Sequence, residues 1–165
     1  MNPHFPAFKR LITNPILFKL FILQKLSAAF WAGLSIAYFD EQKCVVRVKY
    51  SWFSQNPFQS IYFAVEAMAA EMTCGMLAFA QVYQRVPKIS MLVVGTQANF
   101  LKKATGTILF SCEDRLAIQK AIQELQSISQ TKINHIDIGL SGYHVLGINS
   151  HGAVAVKNNE VSNDD

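Results

Sequence analysis

Between Phe58 and Tyr83 the sequence reads as one long helix, with no proline and a single glycine, Gly75. Such a helix would run for about 25 residues and span ~38 Å at the usual rise. Apolar residues fall on every side of it, so no broad polar face is left and the helix should be mostly buried. Nothing else in the chain constrains the fold as strongly, because the rest of the molecule has to cover this rod. Two carboxylates, Glu66 and Glu71, ride inside the apolar stretch. A carboxylate is costly to bury unless something pairs with it or uses it. These two positions are therefore the first candidates for chemistry.

The elements on either side say what does the covering. Pro6 to Ile12 and Pro15 to Ala29 read as two helices, the second opened by the Asn14-Pro15 cap and first-turn proline. In the second, Leu17, Leu20, Phe21 and Leu26 are expected to face inward while Lys19 and Lys25 reach solvent. Leu34 to Phe39 and Cys44 to Tyr50 read as a hairpin closed by Asp40-Glu41-Gln42-Lys43, the second strand alternating apolar and charged. Beyond the long helix, which Arg85 to Lys88 ends, Ile89 to Phe100 and Thr105 to Cys112 are β-branched runs. Glu113-Asp114 opens a second amphipathic helix carrying Leu116, Ile118, Ala121, Ile122 and Leu125. Lys132 to Leu140, Tyr143 to Ile148 and Ala153 to Val156 read as strands, with a turn or bulge at Gly142, and Asn158 to Asp165 as a disordered acidic tail. Strands that follow one another without intervening helices favour antiparallel pairing. The class is α+β: an antiparallel sheet curled round one long buried helix, with extra helices at the N-terminus. The expected division is a helical extension over 1–32, the sheet-and-helix domain over 33–157, and the tail over 158–165.

Composition narrows the function classes. A chain of 165 residues is one domain by length. Its charged content of only 16% suggests that part of the surface is hidden in an oligomer. The net charge of +4 is spread along the chain with no dense basic block, so a nucleic-acid partner is not expected. A modest positive bias would suit an anionic, phosphorylated ligand, although a solvated surface with a few extra lysines explains it more simply. Three cysteines, Cys44, Cys74 and Cys112, are widely spaced with no CxxC pair, which implies neither a disulfide framework nor a zinc site. Reduced, buried thiols and a cytoplasmic setting fit best. His135, His144 and His151 obey no metal-ligand spacing, and Ser141 lacks the G-x-S-x-G setting of a nucleophile elbow. The apolar run from Ile16 to Leu23 is cut by Lys19, falls short of the roughly 18 to 20 residues of a membrane span, and has no cleavage site after it. Membrane association is not expected on this reading.

The order of elements resembles the hotdog fold, in which an antiparallel sheet wraps a central helix. Phenylacetate-pathway acyl-CoA thioesterases of that fold carry a pattern like N-x-x-G-x-x-H-G-G followed by an acidic residue. Here Asn56 takes the Asn place, Gln59 stands at the Gly, Tyr62 at the His, and Phe63 and Ala64 at the Gly pair. Glu71, nine positions after Tyr62, falls on the acid. The chain also looks like an uncharacterised branch of this superfamily in which an N-P-F…Y-F…A-M-A-A-E run replaces the histidine-glycine version.

The resemblance implies hydrolysis of an acyl thioester. Coenzyme A would enter only as part of the substrate, with no separate cofactor and no metal. Glu71 would act as general base or nucleophile, with its pKa raised by desolvation. The backbone N–H of Phe63 or Ala64, at the positive end of the helix, would hold the developing oxyanion. In such enzymes these groups meet the acid across a subunit interface, which implies a homodimer or a dimer of dimers. Asn56 could bind a carbonyl, position water or simply cap the helix. Tyr62 could supply a hydroxyl or an aromatic wall. Gly75, near the Glu71 face, would permit close packing or leave room for an acyl chain. Alternatively, Glu71 only pairs with a buried Arg or hydroxyl. Glu66 lies about 140° round the helix from Glu71, so the two do not form an acid/base pair and Glu66 is expected at an edge or interface. Two other classes remain on the same scaffold: a non-catalytic acyl- or lipid-binding protein, and a hydratase or dehydratase, for which a His–acid pair is missing. Lys102 and Lys103 could meet the phosphates of coenzyme A or could be a plain solvated turn.

Overall fold

A computed structural model describes residues 2–86, 89–93, 95–116, 118–120 and 135–137. Three helices come first: α1 (Phe5–Thr13), α2 (Pro15–Lys25) and α3 (Ser27–Trp31). The hairpin strands β1 (Ser35–Phe39) and β2 (Cys44–Lys49) follow, then the long helix α4 (Phe63–Val82). The strands β3 (Ser90–Leu92), β4 (Thr107–Cys112) and β5 (His135–Asp137) complete the described elements.

The main sheet has the order β1-β2-β4 and is antiparallel throughout. Asp40 makes the hairpin turn, its Oδ1 accepting from the N–H of Gln42 (2.7 Å) and Lys43 (2.8 Å). In β2, Val46 and Val48 are buried while Arg47 and Lys49 are exposed, so the pleat puts one face under α4 and the other toward solvent. In β4, Ile108 and Phe110 take the covered face, paired with Val48 and Val46. The helix lies on this sheet and buries Met72, Met76 and Leu77 in the same core. It is therefore the core helix of an α+β fold, and it is also long and apolar enough to cross a membrane by length and composition alone.

The first helices share that core. Phe8 is fully buried and its ring meets Phe39, Phe79 and Tyr83 at 5.8, 5.3 and 5.0 Å. Asn2 ties the N-terminal segment to the far end of α4, its Nδ2 donating to the carbonyls of Ala80 (2.9 Å) and Tyr83 (2.8 Å). Those carbonyls are among the orphan acceptors of a helix end, and Gln84, at φ 54°, takes the left-handed position that turns the chain away.

Several expectations need correction. The long helix starts at Phe63, not Phe58, and has 20 residues, about 30 Å. The helix expected over Pro15 to Ala29 breaks at Leu26 (φ −142°, ψ 58°) into α2 and α3. Leu17, Leu20 and Leu26 are not inward but 37%, 53% and 41% exposed; Phe18 and Ile22 are the buried residues of α2. The run expected over Ile89 to Phe100 is strand only at Ser90–Leu92, and its pairing with β5 is parallel. The turns expected in that region cannot make a parallel pair, which needs a longer crossover. Of the second amphipathic helix, the described part shows Ile118 buried and its N–H bonded to the Asp114 carbonyl at 3.0 Å. Ala121, Ile122, Leu125, Ser141, Gly142, His144, His151, the strands beyond residue 140, the boundary at 157 and the tail lie outside the described residues.

Candidate functional site

A tight loop sets the amino end of α4. The Asn56 side-chain oxygen accepts from the backbone N–H of Phe58 (2.9 Å) and Ser60 (3.2 Å), and its amide donates to Ser60 Oγ (2.9 Å). Backbone bonds from Asn56 N–H to Ser60 C=O (2.8 Å) and from Gln59 N–H to Asn56 C=O (3.0 Å) close the turn. Gln59 sits at φ 57°, a left-handed conformation uncommon outside glycine. These bonds compete with helix formation over 57–61, which is why α4 begins only at Phe63. Asn56 thus spends its oxygen on the turn and caps no helix end. Tyr62 anchors the entry, with its N–H on the Ser54 carbonyl at 2.8 Å, and Ile61 N–H reaches the Ala104 carbonyl at 2.9 Å.

Beside this loop lies a cleft of about 400 Å³ that collects Asn56, Tyr62, Phe63, Glu66, Lys102 and Lys103. Its apolar wall is aromatic: Tyr62 and Phe63 stand 4.8 Å apart, and Phe63 meets Phe100 at 6.3 Å. Val65 and Glu66 already donate their N–H groups to the Tyr62 carbonyl (2.9 and 3.3 Å). The N–H groups of Phe63 and Ala64 have no acceptor among the described residues. They stand at the positive end of the helix. An anion, or an oxygen that becomes one, is what such a position accommodates.

Glu66 belongs to this cleft, half-buried, and desolvation raises its pKa. It follows Tyr62 by four residues, one helical turn, and that spacing is the sequence signal that could have placed it there. Glu71 does not line the cleft. It stands eight residues beyond Phe63, about 12 Å further up the axis. Desolvation raises its pKa too, and it has no hydrogen-bond or ion-pair partner among the described residues. A Cβ built on Gly75 would come within 3.0 Å of Glu71 Oε1. A side chain at Gly75 would press on the carboxylate end and make it shift by a few tenths of an ångström. The sequence-derived set divides in two: Asn56, Tyr62 and Phe63 come together at the helix start, while Glu71 and Gly75 form a second locality in mid-helix. Ala64 offers its backbone at the start but does not line the cleft.

The three cysteines, far apart in sequence, are all buried in the core between the sheet and α4. Cys44 and Cys112 face each other across β2 and β4, and the Cys74 and Cys112 thiols are close enough to perturb one another's titration. Burial pushes the Cys44 thiol up to about 12. That mutual interaction raises Cys74 and lowers Cys112. Among the described residues no three His, Cys, Asp or Glu side chains form a group that could hold a metal ion.

Among solved structures, a protein of unknown function from Pseudomonas aeruginosa, PA5026, called a probable thioesterase, is 18% identical. The match covers 74% of each chain with a TM-score of 0.51. A protein of unknown function from Chlorobaculum tepidum is 16% identical over 68% of this chain and 72% of that one, with a TM-score of 0.54. At these identities the likeness is one of fold, and it agrees with the hotdog arrangement of helix on antiparallel sheet. Two curated proteins match over short lengths of this chain. A length of 49 residues is 37% identical to cell division protein FtsA of Neisseria meningitidis, and a length of 46 residues is 39% identical to FtsA of Pseudomonas aeruginosa. They span only 12% and 11% of those proteins, a share that carries nothing of the whole protein's activity to this chain. Residues 16–135, which hold the sheet, the core helix and the cleft, match the family described as Domain of unknown function (DUF4442), and the chain belongs to that family.

Proposed function

We propose that the chain is an acyl-CoA thioesterase, working in the cytoplasm as a homodimer or a dimer of dimers. The observation that supports this reading best is the pair of free N–H groups, Phe63 and Ala64, at the positive end of α4 and beside an aromatic, lysine-edged cleft. The likeness in fold to a protein called a probable thioesterase supports it from another side. A thioester carbonyl set against those N–H groups would have its developing oxyanion stabilised where the charge forms. Tyr62, Phe63 and Phe100 would flank the acyl group, and Lys102 and Lys103 would meet the phosphates of coenzyme A. Glu71 is the base: its carboxylate takes a proton from water as the water oxygen attacks the carbonyl carbon. The C–S bond then breaks and the thiolate leaves with a proton as free coenzyme A. Within one subunit Glu71 lies too far along α4 to serve its own cleft, so the acid is supplied by Glu71 of the partner subunit.

A second reading, a non-catalytic acyl- or lipid-binding protein on the same scaffold, is favoured by one feature. Asn56, the matched polar residue of the loop, has its amide oxygen committed to the turn. Free-thiol release from short, long and aryl acyl-CoA substrates separates the two. Turnover on any of them supports the hydrolase. No turnover on the whole panel, with a fatty acid or acyl chain co-purifying, overturns it in favour of the binder.

A further inference from the structure

α2 is apolar on two sides. Phe18 and Ile22 are buried against the domain. Ile16, Leu20 and Leu23 recur on another side, about 140° round the helix from them, and are 71%, 53% and 42% exposed. The apolar surface continues in sequence through Leu26 into α3, where Trp31 is 57% exposed. There it meets the turn after β2: Trp31 stands 5.7 Å from the Phe53 ring, and Phe53 stands 4.9 Å from Trp52, which is 76% exposed. Both tryptophans of the chain thus lie in one exposed aromatic row.

The ionised side chains of the N-terminal helices have one sign. Residues 2–39 carry Lys9, Arg10, Lys19 and Lys25, all exposed, and no Asp or Glu; the first acid is Asp40. Acids and bases balance over the remaining sequence, so the whole excess of +4 sits in the N-terminal helical layer. An occupant of this face therefore has to be apolar and anionic at once. A second copy of the same face meets the first requirement and fails the second, because it brings like charges together.

We propose that the α2–α3 edge and the Trp52–Phe53 turn dock on an anionic lipid surface, with Ile16, Leu20 and Leu23 entering the headgroup–acyl boundary. A helix that lies in the interface with leucines below, Lys19 at its flank and Lys25 at its end, and tryptophans alongside, has the composition such surfaces select. The basic layer supplies the attraction to anionic headgroups, and that part of the binding is screened by salt. This corrects the expectation that the leucines of α2 are all spent on the domain itself. It does not depend on whether the cleft hydrolyses thioesters.

The test uses the full chain and sedimentation with vesicles of phosphatidylcholine alone or mixed with phosphatidylglycerol, at low and high salt. Because both tryptophans are in the proposed contact, their emission reports docking directly. Binding to the phosphatidylglycerol vesicles, with a blue shift and a loss of affinity in high salt, is the expected result. Leu20→Ser with Leu23→Ser should lower the partition coefficient at least tenfold, and Lys19→Glu with Lys25→Glu should abolish the preference for anionic vesicles. All four positions are exposed, and an unchanged melting temperature would verify folding. No binding to anionic vesicles at low salt overturns the proposal, as does binding unchanged in both double variants. A dimer that dissociates in Leu20→Ser/Leu23→Ser also overturns it, because the face would then belong to a second copy.

Discussion

The two ends of α4 obey different rules. From Met72 to Val82 almost every side chain is buried, polar ones included: Thr73 bonds its own helix through the Ala69 carbonyl, and Gln81 is 7% exposed. Asn2 reaches over from the N-terminus to satisfy the final carbonyls. At the other end Phe63 is 56% exposed, Ala67 is exposed, and two backbone N–H groups have no acceptor among the described residues. One half of the helix is saturated and the other is left open, although the sequence is about equally apolar along both. Hydrophobicity alone marks where a helix is covered by something. Unmet polar groups at an exposed helix start mark where water, or a ligand that displaces it, completes the hydrogen bonding. Glu71 stands between the two halves, shielded enough to have its pKa raised and without a partner among the described residues.

The largest effect that can break this comparison is on turnover. Glu71→Gln keeps the shape and removes the base, so hydrolysis should fall by roughly 10²- to 10⁴-fold. Glu66→Gln, in the cleft but outside the proposed proton transfer, should cost far less. Free-thiol release from the best acyl-CoA substrate reads both. The reverse order would make Glu66 the acid and remove the need for a second subunit. Mixing Glu71→Gln with a cleft variant such as Phe63→Arg sharpens the point, since activity shared across an interface is partly restored in the heterodimer.

Stability should follow the opposite map. Leu77→Ala, in the saturated half and 2% exposed, should cost about 2–5 kcal/mol in chemical denaturation. Phe63→Ala should change the same midpoint by no more than about 0.5 kcal/mol, as an exposed position does. A large loss at Phe63 would mean that the open end is packed after all. Asn56→Ala falls between them. It leaves the Phe58 and Ser60 N–H groups without their acceptor, so a loss of about 1–2 kcal/mol is expected.

How much of this the sequence discloses depends on whether a residue's partner is near it in the chain. The hairpin was legible because alternation in 44–50 and the Asp40 turn are local signals. The buried helix was legible because its apolar run has no competitor. The helix start was not, because Asn56, Ser60 and Gln59 form a turn whose bonds outweigh the apolar pattern that continues through Phe58. The inward set of α2 was misread for a related reason: a helix apolar on two sides has no periodicity to say which side faces home. The cysteine cluster, the Asn2 cap and the closing of the cleft by Phe100, Lys102 and Lys103 join residues that are distant in sequence, and no pattern in a single chain points across such gaps. Glu66 is partly legible: the apolar run marks it as a candidate beside Glu71, and its four-residue step from Tyr62 carries the further signal that puts it in the cleft.

The smallest effect is the dependence of stability on pH. Burial raises the folded-state pKa of Glu71 above that of the unfolded chain, so the folded chain holds the proton more tightly. The native state then binds more protons than the unfolded state between the ordinary glutamate value, about 4.3, and the raised one. In that window stability falls as pH rises. The contribution is full in acid and is lost as pH climbs through the raised pKa. Glu71→Gln abolishes the titration, so its melting temperature should gain on the wild type from pH 4 toward pH 7, and Glu66→Gln should do the same by less. A Glu71→Gln variant whose melting temperature instead falls behind the wild type as pH rises would mean that Glu71 is ionised and paired in the folded protein. It would then belong with the saturated half of the helix, as a structural partner of some cation, and not with the open half that the proposed chemistry requires.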